Sequence, residues 1–266
     1  MEGLYSHMLP GMTFIIAAFW WLGNGLEKYK ESQKSGISHG YESLASYPGI
    51  PFTKKKFSKL QFEGFMAIFV FTVLILETFA GIDTEDELYW FKTRSLQRIV
   101  FLLCLLFRCC VTLMTFYSDV LPRETDFAVT ALVMFLQVPF FLAEIYGKSN
   151  NAIVTYGLPA LLMYAAGKFV LNEMNDRSDV IQTIGKCYVT ALAGIWLIHS
   201  GGVLLEIEPF RSYHMAYDMH AQVFYLSIYF TLDAMVLAIL FTFLAARRLS
   251  GVFEHETPEK YYVNVD

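Results

Sequence analysis

The chain has 266 residues, of which 55% are hydrophobic and 17% charged. That balance argues against an ordinary cytosolic domain and for a membrane protein. The net charge of −5 argues against nucleic acid as a partner, because a phosphate backbone needs clustered Lys and Arg. The expected partners are membrane lipids and another membrane protein.

In chain order, Pro10 to Leu26 reads as a first apolar helix. Pro10 suits a first turn, where its missing N–H would be unpaired anyway. Gly23-Asn24-Gly25 reads as the stop, with Trp20 and Trp21 beside it in an interfacial belt. No basic segment precedes this run, so no cleavable leader is expected. Residues 27–59 form a long polar loop with Lys28, Lys30, Lys34, Lys54, Lys55, Lys56 and Lys59. The positive-inside rule makes that loop cytoplasmic and the N-terminus outside or lumenal. Lys54-Lys55-Lys56 reads as a topology signal.

Further spans are expected near Gln61–Gly81, Leu96–Tyr117, Phe127–Tyr146, Ala152–Leu171, Ile181–Leu205 and Gln222–Ala246. The fold class is therefore all-α: a bundle of about seven transmembrane helices forming one domain over 1–252, with a short polar cytoplasmic tail over 253–266. The loop carrying Asp83, Glu85, Asp86 and Glu87 suits the outside. Arg247 and Arg248, closing the last span, suit the inside. Pro139 and Pro159 are expected to kink the fourth and fifth helices. Cys187, Gly194 and Gly201 recur at heptad spacing on the sixth, a stripe that lets another helix come close. Cys104, Cys109, Cys110 and Cys187 fall in apolar segments without zinc spacing and read as buried packing residues.

The costliest residue is Arg108, midway along the third span. A central arginine costs about 2.5–3.5 kcal/mol to insert and needs a partner, a water-filled cavity or a snorkelling path. Counting along the helices places Asp233 and Gln137 at a similar depth. Arg108, Asp233 and Gln137 are thus expected to form one buried polar cluster. It is either a structural pin or a ligand site. His199, Glu77, Arg98 and Glu144 are secondary candidates in an outer layer. Glu63, Lys168 and Lys186 read as an inner layer that snorkels to the cytoplasmic face. No catalytic motif is visible: HExxH, GxSxG, phosphate loops and GxGxxG are all missing. No catalytic residue, metal or cofactor is expected. Tyr262-Val263-Asn264-Val265 has the form of a tyrosine-based sorting signal.

His7-Met8-Leu9-Pro10-Gly11 resembles the His-x-Leu-Pro-Gly opening of the transmembrane protein 45 family, also known as domain-of-unknown-function family 716. Gly194-Ile195-Trp196, continuing to Leu204, is similar to that family's Gly-x-Trp segment. Leu76-Glu77 and the basic loop agree in position. Arg98, Gln137, Glu144 and Thr231 stand where relatives carry His, Glu, His and His, so a histidine-rich site would be lost here. The resemblance implies a multi-pass protein of the plasma membrane or of Golgi, endosomal or lysosomal membranes, without a settled activity. The leading expectation is a non-catalytic accessory or scaffolding subunit acting through helix–helix association. The alternatives are a carrier of a small anion or lipid at the Arg108 cluster and, third, an intramembrane lipid hydrolase.

Overall fold

The computed structural model describes residues 2–35, 40–49, 61–80, 93–118, 120–145, 150–204 and 219–253. Among them run seven helices: α1 (Glu2–Ser35), α2 (Phe62–Ala80), α3 (Thr93–Tyr117), α4 (Glu124–Ala143), α5 (Asn150–Asn175), α6 (Val180–Leu204) and α7 (Met219–Phe253). All but α2 are long and apolar enough to cross a membrane, so the described residues contain six such helices; α2 carries a shorter apolar stretch, Glu63–Leu76. The acidic 83–87 loop, Lys54-Lys55-Lys56, Tyr262–Val265 and the side chains of Glu77 and Arg98 lie outside the described residues.

α6 is the axis of the bundle. Of its span 61% is buried, against 11% of α7. α1 lies antiparallel along α6, and the glycines explain how close it comes. A Cβ on Gly194 would stand 2.5 Å from the Gly11 carbonyl oxygen, and one on Gly201 would meet the His7 Cβ at 2.6 Å. Without side chains at those points the two backbones pack directly. The small-residue stripe therefore serves α1, and Cys187, its third member, is fully buried. Cys109 is buried too, whereas Cys110 is exposed and Cys104 intermediate, contrary to the expectation that all four pack inside.

α1 differs most from its expected form. It starts before Pro10 and runs through Gly23-Asn24-Gly25 to Ser35, absorbing the start of the expected 27–59 loop. A mid-helix glycine costs about 1 kcal/mol, which packing along a whole helix face outweighs. Gly25 is also where a neighbour sits: a Cβ there would lie 2.9 Å from Thr183 Cγ2 and 3.1 Å from the Tyr47 hydroxyl. Asn24 donates from Nδ2 to the Trp20 carbonyl, which turns a loop-favouring side chain back onto its own helix. α4 and α5 continue through Pro139 and Pro159.

Contacts among the connections set the direction of every helix. The Ser43 N–H donates to the Arg177 carbonyl at 2.8 Å. Arg177 bridges Glu42 and Glu124. The Gln61 N–H donates to the Tyr117 hydroxyl, and Arg248 at the end of α7 pairs with Glu27 of α1 at 3.4 Å. The α1–α2, α3–α4 and α5–α6 connections therefore share one end of the bundle with the C-terminal end of α7.

Candidate functional site

At that end, polar side chains from α1 through α6 form one buried layer. It begins at Trp21, 3% exposed on α1. The indole Nε1–H donates to Glu63 Oε1 at 3.0 Å. Arg108 Nη2 donates to the same oxygen at 3.1 Å, and the Tyr47 backbone N–H donates to Glu63 Oε2 at 3.2 Å. Arg108 Nε donates to the Thr130 hydroxyl of α4, and its guanidinium lies 5.5 Å from the Trp21 ring centre. Arg108, the residue most in need of a partner, is 11% exposed and has one: a carboxylate held by two further donors.

A second ion pair adjoins the first. Lys186 Nζ and Glu173 Oε2 are 2.6 Å apart, with side chains 1% and 0% exposed. The Thr183 hydroxyl donates to the other Glu173 oxygen at 2.6 Å. Since Thr183 uses its proton there, the Tyr41 hydroxyl at 2.8 Å must donate to Thr183. Burial raises the Tyr41 phenol above its ordinary value, which keeps it protonated as that donor requires. Lys186 Nζ lies 5.3 Å from the Trp21 ring centre, so one indole faces both buried cations.

Asp126 anchors a third group. It accepts from the Thr112 hydroxyl at 2.6 Å and the Ser46 hydroxyl at 2.8 Å. Gln61 Nε2 in turn donates to Ser46 Oγ. Three carboxylates thus face two cations, and the one without a cation bonded to it, among the described residues, is held by hydroxyls. Losing one partner of such a buried pair costs about 3–5 kcal/mol, because the survivor is left charged and dry. The segment 40–49 enters this layer through Tyr41, Ser46 and Tyr47, so it acts as a plug seated between helix ends rather than a surface loop.

The expected cluster of Arg108, Asp233 and Gln137 does not assemble; each residue has other neighbours. Asp233 Oδ2 lies 2.8 Å from His199 Nδ1. The His199 ring stacks near Trp196 and Tyr229, at 5.8 and 5.3 Å between ring centres. Gln137, fully buried, points Nε2 toward Met134 Sδ at 4.0 Å, and its Oε1 accepts no hydrogen bond among the described residues. The error was in depth. Asp233 stands about 22 Å along α7 from Arg248, whereas Arg108 stands about 14 Å along α3 from Tyr117. The two charges occupy different levels. Glu144 closes α4 and is half-buried. His7 reaches the Tyr156 hydroxyl at 3.3 Å.

Glu63, Lys186, Glu173, Asp126 and Trp21 carry the layer. By sequence alone Glu63 and Lys186 read as snorkelling residues and Trp21 as part of an interfacial belt. The available signal was Trp21 itself: an indole with a donor to satisfy, on the helix nearest the bundle axis. Lys168, the remaining inner-layer residue, is exposed. No three His, Cys, Asp or Glu side chains among the described residues converge as a metal ion would require. No protein-family model matches the chain, and no curated protein matches it.

Proposed function

We propose that the chain is a non-catalytic multi-pass membrane protein that acts by helix–helix association, as an accessory or scaffolding subunit of the plasma membrane or an endomembrane. In this reading α2 is a seventh span, the N-terminus is outside or lumenal, and the C-terminal end of α7 is cytoplasmic. Support for the orientation comes from the shared end of the bundle, which carries Lys28, Lys30, Arg123, Arg177, Arg247 and Arg248. The segments bearing His7-Met8-Leu9-Pro10-Gly11 and Gly194–Gly201 touch each other. That contact supports reading the chain as a divergent relative of the transmembrane protein 45 family.

The observation that carries the association reading is the contrast between charge and surface. Arg108 and Lys186 are engaged by Glu63 and Glu173 inside the bundle, while α7 presents Phe224, Leu232, Val236, Ile239 and Phe243 outward. The competing reading, a carrier of a small anion at Arg108, requires Glu63 to release the guanidinium.

Purification in mild detergent, with mass spectrometry of what travels with the protein, separates the two. Association predicts a stoichiometric membrane protein that is lost when the exposed Met235 and Ile239 are replaced by Trp while the chain's own melting point holds. A lone chain that binds a small anion, and loses it in Arg108→Met, would overturn association in favour of the carrier.

A further inference from the structure

The inner ends of α1 and α7 run side by side in the same direction. They touch at Phe19 and Phe241, whose ring centres are 5.5 Å apart, and again at Arg248 and Glu27. Between them opens a cleft of about 380 Å³ lined by Lys30, Leu244, Arg247 and Arg248. Among the described residues Glu27 pairs with Arg248. Neither Lys30 nor Arg247 has an acidic partner among the described residues, so the cleft holds two positive charges in excess. A phosphate monoester carries about −1.5 to −2 near neutral pH and matches that excess.

The surface above the cleft identifies the carrier of that phosphate. Val236, Leu240 and Phe243 are exposed on α7, at spacings of four and three that place them on one helical face. Arg247, four residues further on, continues the same face into the cleft. An apolar stripe that ends in a guanidinium, with a lysine across the gap, suits acyl chains above and a phosphorylated headgroup below. Basic pockets between membrane helices bind such headgroups.

We infer that the α1–α7 cleft binds a membrane phospholipid whose headgroup carries a phosphate monoester, through Lys30, Arg247 and Arg248, with its acyl chains along Val236, Leu240 and Phe243 of α7. The site is separate from the Arg108–Glu63 layer and uses neither residue.

Native mass spectrometry of the full chain in detergent tests this, titrated in parallel with phosphatidylinositol 4-phosphate, phosphatidylinositol, phosphatidylcholine and soluble inositol trisphosphate. The expected order places the monoester lipid first. Removing a surface cation weakens such binding about fivefold, so the Lys30→Gln/Arg247→Gln double variant should bind roughly 25-fold more weakly. Lys168→Gln, which removes an exposed charge from α5, should change binding less than about twofold on the same scale. In the wild-type protein the lipid should also shield Lys30 from amine-reactive labelling while Lys168 continues to react, a readout independent of any variant's folding. Equal binding of phosphatidylcholine, or an equal loss in Lys168→Gln, overturns the site. Inositol trisphosphate binding as tightly as the lipid overturns the lipid as its occupant.

Discussion

Replacing Glu63 by Gln keeps the shape of the side chain and removes its charge. Three donors converge on this carboxylate: Trp21 Nε1, Arg108 Nη2 and the Tyr47 N–H. An amide offers one oxygen, so its NH2 must face at least one of those donors, which costs about 1–3 kcal/mol. Arg108 is left without a counter-charge, which costs about 3–5 kcal/mol for a buried pair. The two costs share atoms and do not add fully, so the net destabilisation should be about 3–4 kcal/mol. Both side chains are nearly dry, at 11% and 13% exposure, so solvent screening reduces this little. Arg108→Met alone strands Glu63 and should cost a similar amount, while the double variant should cost less than the sum of the two single variants. The coupling expected is about 2 kcal/mol, within the range for residues of one network. Trp21 lies in the site, so its fluorescence during unfolding in detergent reports the transition directly. Arg108→Met combined with Asp233→Asn should be additive to within about 0.5 kcal/mol. A coupling below that limit for Glu63 with Arg108, or a larger one for Asp233 with Arg108, would refute the reasoning.

Gly194→Ala places a methyl group 2.5 Å from the Gly11 carbonyl oxygen; overpacking of this kind costs about 1–3 kcal/mol, and a variant as heat-stable as the parent would show that α1 and α6 are not in direct backbone contact. Burial holds the Tyr47 phenol well above its ordinary value. Folding therefore favours the neutral ring: the stabilisation is complete below pH about 10 and is lost as the pH rises through the folded-state value. The tyrosinate absorbance difference between wild type and Tyr47→Phe should appear only well above pH 10, and titration at about pH 10 would show the 40–49 plug to be open.

The positions of the helices were legible because a bilayer demands long uninterrupted apolar runs and each run is local in sequence. The stripe of Cys187, Gly194 and Gly201 was legible for a similar reason: a heptad of small residues has a use only if something packs there. What misled was every inference that required knowing which helix ends lie level with one another. Gly23-Asn24-Gly25 reads locally as a stop, yet α6, Tyr41 and Tyr47 pack over it and α1 continues. Glu63 reads as a surface carboxylate, yet residues 40–49 fold back over the start of α2 and enclose it.

From its residues alone, the chain reads as a helical protein with runs long and apolar enough to cross a membrane, and Arg108 as a charge that an apolar setting makes costly. Tertiary structure decided which anion offsets that cost. Pairing in a membrane interior depends on depth, and depth depends on where each helix begins relative to its neighbours. The helices of Asp233 and Arg108 are offset, while the 40–49 plug and the first turn of α2 bring Glu63 to the guanidinium. A charge buried in apolar surroundings takes whichever partner lies within hydrogen-bonding reach, and only the packed bundle sets that distance.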